Sequence, residues 1–153
     1  MGTIQTGSPL PPITLPDQDR NAVDLSTFKG TKLLLSFHPL AWTGVCMRQM
    51  EALEFNVEVL AELGAQAFGI SVDPVPTKKA WAESMNVEKT RLLSDFWPHG
   101  GAAQSLGLFR EADGITERAA ILVDAEGIVR FVKVYPIGDQ PDLEELMEEL
   151  KAI

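Results

Sequence analysis

The sequence predicts an α/β fold in which a central mixed sheet is flanked by helices. Three observations carry that reading. Short apolar runs alternate with helical patterns along most of the chain, the last two runs are joined by a turn rather than a crossover, and an amphipathic helix follows them. The longest apolar run, Ala119 to Val123, is strand-sized and far short of the roughly 20 residues a bilayer helix needs.

Taken in order, Pro9, Pro11, Pro12 and Pro16 punctuate an extended leading segment. Lys32 to Phe37 (KLLLSF) reads as a buried strand, and Thr43 to Leu63 as a helix. On that helix Cys46, Met50, Leu53, Val57 and Leu60 recur at spacings of four and three, with Glu51, Glu54, Glu58 and Glu62 opposite. The cysteine therefore falls on the inward stripe. Gly64 is a C-cap candidate. Ala65 to Val72 is the next strand, Thr77 to Met85 a helix, Arg91 to Leu93 a short strand and Gly101 to Leu106 a short helix. Ala119 to Val123 and Ile128 to Tyr135 form a hairpin around Asp124 to Gly127, and Asp142 to Ile153 is a last helix burying Leu143, Leu146, Met147 and Leu150. This order is that of a thioredoxin-like sheet with one short helical insertion.

A length of 153 residues suits one domain over 1–153. Hydrophobic residues make up 45% and charged residues 23%, with a mean hydropathy of +0.02, which excludes a disordered polar chain. Thirteen Lys and Arg against 22 Asp and Glu give a net charge of -9, so the overall field repels nucleic acid and anionic lipid, and neither is expected as a partner. No basic and apolar leader is visible near Met1 to Leu10, and the one cysteine excludes both an internal disulfide scaffold and a CxxC exchanger. A reducing, cytoplasmic setting is expected.

The strand KLLLSF runs into His38-Pro39-Leu40-Ala41-Trp42-Thr43-Gly44-Val45-Cys46, where Thr43 is the first residue able to cap the helix. Cys46 then falls at N3, facing unpaired backbone N–H groups and the positive end of the helix dipole, a place that favours an anion. A free thiol is only about 3% ionised at pH 7, so such a setting matters for reactivity. The alternative is a small buried core residue, since free cysteine is among the most buried types. His38 and His99 with Cys46 lack a fixed ligand spacing, so no metal and no cofactor is expected. Trp42, Phe37, Trp81 and Trp97 read as core or interface aromatics.

Pro39-x-x-x-Thr43-x-x-Cys46 at the end of a hydrophobic strand resembles the active-site signature of the peroxiredoxins. Glu117 to Gly127 is similar to that family's downstream strand and hairpin, with its arginine at Arg118. PLAWTGVC and Leu92 to Leu108 (LLSDFWPHGGAAQSLGL) are similar to the one-cysteine alkyl hydroperoxide reductase E type within it. The resemblance spans about Pro9 to Tyr135. Two positions depart from the usual pattern: Gly44 stands where Pro is usual and Gln49 where Glu is usual. Gln49 supplies no charge to orient an arginine, and Arg48 beside it is a candidate for part of that role.

The resemblance implies a thiol-dependent peroxidase that reduces hydrogen peroxide and organic hydroperoxides through a Cys46 sulfenic acid. Thr43 would hold the peroxide by its hydroxyl, with Gly44, the N–H groups of Val45 and Cys46, His38 and Trp42 around it. Arg118 would supply positive charge, and Pro39 would shield the sulfur from water. With no second thiol, an external thiol or a glutaredoxin-like or thioredoxin-like reductant would regenerate the enzyme. A homodimer is expected, with Leu40, Trp42 and Phe96 near its interface. The competing reading is a thioredoxin-fold binding or chaperone-like module whose cysteine is inert.

Overall fold

The computed structural model describes residues 2–153. Two short strands, β1 (Thr14–Pro16) and β2 (Ala22–Asp24), pair as an antiparallel hairpin ahead of the main sheet. The main strands are β3 (Lys32–Phe37), β4 (Ala65–Ser71), β5 (Arg91–Ser94), β8 (Arg118–Val123) and β9 (Val129–Tyr135), and a second small ribbon, β6 (Phe109–Arg110) with β7 (Ile115–Thr116), falls between β5 and β8 in the chain. The five main strands form one mixed sheet in the order β5-β4-β3-β8-β9. β3 runs parallel to β4, and β4 to β5, whereas β8 lies antiparallel to both β3 and β9.

Strand alternation sends Leu33, Leu35 and Phe37 to one face of the sheet and Leu34 and Ser36 to the other. The first set packs with Phe68, Ile70 and Ile121 under the β1–β2 hairpin and α4 (Gly101–Leu106). The second face carries α1 (Gly44–Phe55), α2 (Val57–Glu62), α3 (Val75–Met85) and α5 (Leu143–Lys151), which bury Cys46, Met50, Leu53, Leu60, Trp81, Leu146 and Leu150. The helices thus fall four on one side and one on the other. At Gly69 on β4 a Cβ would collide with the Met50 sulfur, so this glycine sets how closely α1 approaches the sheet.

The helix predicted over Thr43 to Leu63 breaks at Asn56, whose φ of -105° and ψ of 16° leave the helical region. The Asn56 side chain donates 2.8 Å to the Ala52 carbonyl, offering the backbone a local alternative to the helical ladder. The leading segment is not merely extended but contains the β1–β2 hairpin. Its turn is held by Asp17, whose Oδ1 accepts from the Asp19 and Asn21 N–H groups. The last helix is capped as its first residue suggests, with the Asp142 carboxylate accepting from the Glu144 and Glu145 N–H groups. Among the described residues, no helix is long and apolar enough to cross a membrane.

Candidate active site

The site forms where β3 ends against the start of α1. Thr43 is the N-cap of α1, with extended backbone at φ -110° and ψ 149°, which places Cys46 at N3. The first helical bond runs from the Met47 N–H to the Thr43 carbonyl, so the N–H groups of Gly44, Val45 and Cys46 precede the ladder. Thr43 does not cap with its side chain. Its hydroxyl donates 2.9 Å to the Leu40 carbonyl across the exposed side of the loop. Trp42, just before it, takes a left-handed φ of 67° and is exposed.

Cys46 is fully buried, and its Sγ accepts from Arg118 Nη1 at 3.3 Å. Arg118 opens β8, the strand next to β3, and is itself buried. Two neutral acceptors fix its guanidinium: Gln49 Oε1 takes the same Nη1 at 2.7 Å, and the Ile137 carbonyl takes Nε at 2.8 Å. Gln49 is held in turn by donating to Ser36 Oγ and to the Phe37 carbonyl. The residue that supplies no charge is thus the one that orients the arginine. Arg48, the sequence candidate for part of that role, is exposed and makes no bond to Arg118.

Pro39 is buried beside the loop, Val45 half-buried and Gly44 exposed. His38, expected to line the pocket, is fully buried, as Cys46 is. Its N–H extends the β3–β4 ladder to the Ile70 carbonyl, so strand alternation carries the ring inward in phase with Leu34 and Ser36. There its Nε2 lies 3.0 Å from Lys78 Nζ. Burial and the adjacent Lys78 charge hold His38 well below the usual imidazole range, so it is neutral at pH 7. His99 is elsewhere, donating to the Gly114 carbonyl on the exposed side.

Sequence reasoning does not identify Lys78, Ser71 and Asp73 around this site. Lys78 is fully buried on α3, where it shares a face with Val75, Ala82 and Met85. A lysine at helical spacing within an apolar stripe is the available signal.

The Cys46 sulfur and the Arg118 guanidinium meet at the start of α1, where three N–H groups precede the helical ladder, an arrangement that can activate a sulfur nucleophile and stabilise a negative charge leaving it. Comparison with known proteins agrees with this chemistry. The sequence model described as the AhpC/TSA family matches residues 6–132. The chain is 37% identical over 151 residues to alkyl hydroperoxide reductase E of Mycobacterium tuberculosis (strain ATCC 25618 / H37Rv), covering 98% of each. It is 31% identical over 136 residues to a peroxiredoxin of Pyrococcus furiosus, covering 85% of this chain and 62% of that one. Reduced 2-Cys peroxiredoxin of Plasmodium vivax superposes with a TM-score of 0.89 at 26% identity, over 97% of this chain and 81% of that one. AhpC of Enterococcus faecalis also gives 0.89, at 25% identity, over 99% and 92%.

Proposed function

Because the chain belongs to the AhpC/TSA family and is a thiol-dependent peroxidase of the peroxiredoxin kind, we propose that Cys46 is the sulfur that attacks the peroxide. The observation that carries this reading is the 3.3 Å bond from Arg118 Nη1 to Cys46 Sγ inside a buried site. The Cys46 thiolate attacks the terminal peroxide oxygen and forms an S–O bond. The O–O bond breaks, and its electron pair leaves on the second oxygen, which takes a proton from water to become an alcohol or water. The sulfur keeps the transferred hydroxyl as sulfenic acid.

Arg118 favours the thiolate and faces charge developing on the leaving oxygen. Its geometry is set before substrate arrives, since Gln49 and the Ile137 carbonyl already hold two of its N–H groups. The Thr43 proton is committed to the Leu40 carbonyl, so the Thr43 oxygen meets a peroxide as an acceptor of its O–H. The N–H groups of Val45 and Cys46 hold the peroxide oxygens, with Gly44 and Trp42 bordering the approach. Pro39, lacking an N–H, adds no competing donor and keeps water from the sulfur.

Hydrogen peroxide and organic hydroperoxides are the substrates this reading assigns, in keeping with the alkyl hydroperoxide reductase relatives. An external thiol, glutaredoxin-like or thioredoxin-like, returns the sulfenic acid to thiol, because Cys46 is the one cysteine. A lone unpaired thiol suits the reducing cytoplasm. The exposed side chains of Leu40, Trp42, Phe96 and Trp97 support pairing with a second copy of the chain.

The test is Cys46→Ser. A serine hydroxyl offers no comparable nucleophile at pH 7, so the variant folds and consumes no peroxide. Retained turnover overturns the assignment and leaves the inert-cysteine reading.

A further inference from the structure

Beneath the connection from β3 into α1, whose first turn carries Cys46, lies a buried lysine that the peroxide chemistry does not use. Lys78 Nζ donates 2.7 Å to Ser71 Oγ and lies 3.0 Å from His38 Nε2, with the Trp81 ring centroid 5.7 Å away. Ser71 Oγ donates 2.6 Å to Asp73 Oδ2, so its lone pair is what receives the lysine. Asp73 Oδ2 also accepts the Ala41 N–H at 2.8 Å. Lys78 therefore grips residues 38 to 41 from both ends, through His38 directly and through Ser71 and Asp73 to Ala41. The residues it steadies belong to the connection from β3 into the N-cap of α1.

Among the described residues, no carboxylate touches this ammonium. Its two bonded acceptors, His38 and Ser71, are neutral, and a buried cation so placed depends on charges one shell away. The charged and titratable groups facing it come from several elements. Asp73 comes from just past the end of β4, Cys46 from α1, and His38 from the end of β3, while Arg118 on β8 also acts on His38. Burial brings Lys78 down to about 7, opposed by attraction to Asp73 and to the Cys46 thiolate.

We infer that Lys78 is a positioning residue of the Cys46 centre, a second buried cation that joins Arg118 in favouring the sulfur anion and pins the connection from β3 to α1. This rests on Cys46 being the peroxide-reactive thiolate. Coupling between two ionisable groups is reciprocal, so the thiolate must hold the lysine proton as strongly as the lysine holds the thiolate. An opposite charge nearby is worth about one pH unit or more in such a setting.

Two titrations in the absence of peroxide test it. In the parent protein and in Cys46→Ser, the Lys78 ¹³Cε resonance is followed against pH by NMR, assigned by its loss in Lys78→Met. Replacing the thiolate by a neutral hydroxyl is expected to lower the Lys78 midpoint by about one pH unit. In Lys78→Met, thiolate absorbance at 240 nm is expected to titrate about one pH unit higher than in the parent. A lysine that merely fills space moves neither midpoint. Unchanged midpoints in both experiments overturn the inference while leaving Cys46 as the reactive thiolate. A parent protein that shows no thiolate transition below about pH 9 overturns that reading and the inference with it. Where Lys78→Met folds poorly, Lys78→Arg, which keeps a long cationic side chain, supplies the assignment, and an unchanged Lys78 midpoint in Cys46→Ser then overturns the inference by itself.

Discussion

Gln49 and Cys46 share one donor: Arg118 Nη1 gives 2.7 Å to the Gln49 amide oxygen and 3.3 Å to the cysteine sulfur. Three residues apart on α1, the two side chains stand on one helix face, and a single guanidinium nitrogen spans them. An amide in this place fixes the arginine without neutralising it. The positive charge is left to the sulfur.

Gln49→Glu tests that division. A carboxylate would take much of the guanidinium field, and it would face the Phe37 carbonyl that now accepts from the Gln49 amide. Thiolate absorbance at 240 nm is expected to titrate about one pH unit higher, with the protein destabilised by about 1–3 kcal/mol in urea from the unmatched acceptor. A midpoint that stays in place shows that the charge on Arg118 is felt equally with either neighbour.

Thr43→Val keeps the shape of the side chain and removes the hydroxyl. The loss of the bond to the Leu40 carbonyl on an exposed loop costs about 1 kcal/mol at most. The peroxide rate constant, followed by stopped-flow tryptophan fluorescence, is expected to fall at least ~10²-fold, as when a donor or acceptor aimed at the reacting atoms is deleted. Thr43→Ser retains the rate within a few-fold. A Val variant as fast as the parent places the peroxide away from residue 43.

How far the sequence reveals these relationships depends on distance along the chain. Apolar runs and their period mark β3, α4, the β8–β9 hairpin and α5, because each carries its pattern within itself. The β1–β2 hairpin escapes such a reading because its three-residue strands are too short for alternation and its turn rests on the Asp17 carboxylate rather than on a glycine. In the site, Cys46 at N3 is legible from the strand-to-helix corner, whereas Arg118 is reached only through family resemblance, since 72 residues separate it from the sulfur it bonds. Lys78 reads as an ordinary polar position, and Gln49, noted for standing where Glu is usual, reads as unable to orient an arginine. Their meaning lies in partners, His38, Ser71 and Arg118, that only the packed sheet brings to them.

Regeneration follows from the single thiol. A sulfenic acid at Cys46 has no second cysteine in the chain to condense with, so it waits for an outside thiol or meets more peroxide. Mass spectrometry after peroxide alone is expected to show Cys46 gaining two oxygens as sulfinic acid. With thiol present it shows a mixed disulfide or the recovered thiol. A Cys46 to Cys46 disulfide between chains as the main product at low protein concentration contradicts this order of events.

The last expectation concerns stability and follows from Lys78. Its folded-state value is brought down to about 7 from an ordinary 10.5, chiefly by burial. Below about pH 7 both folded and unfolded chains carry the ammonium, and the folded chain bears the full cost of burying it. Between about 7 and 10.5 the unfolded chain binds a proton that the folded chain does not, so this group makes stability rise with pH. The slope approaches about 1.4 kcal/mol per pH unit inside that window. Other groups change protonation in the same range, so the quantity to measure is the unfolding free energy of the parent minus that of Lys78→Met, by urea denaturation at several pH values. That difference is expected to climb by roughly 2 kcal/mol from about pH 7 to about pH 9. A flat difference would mean that the Lys78 ammonium keeps its proton throughout, fully compensated by Asp73 and the sulfur.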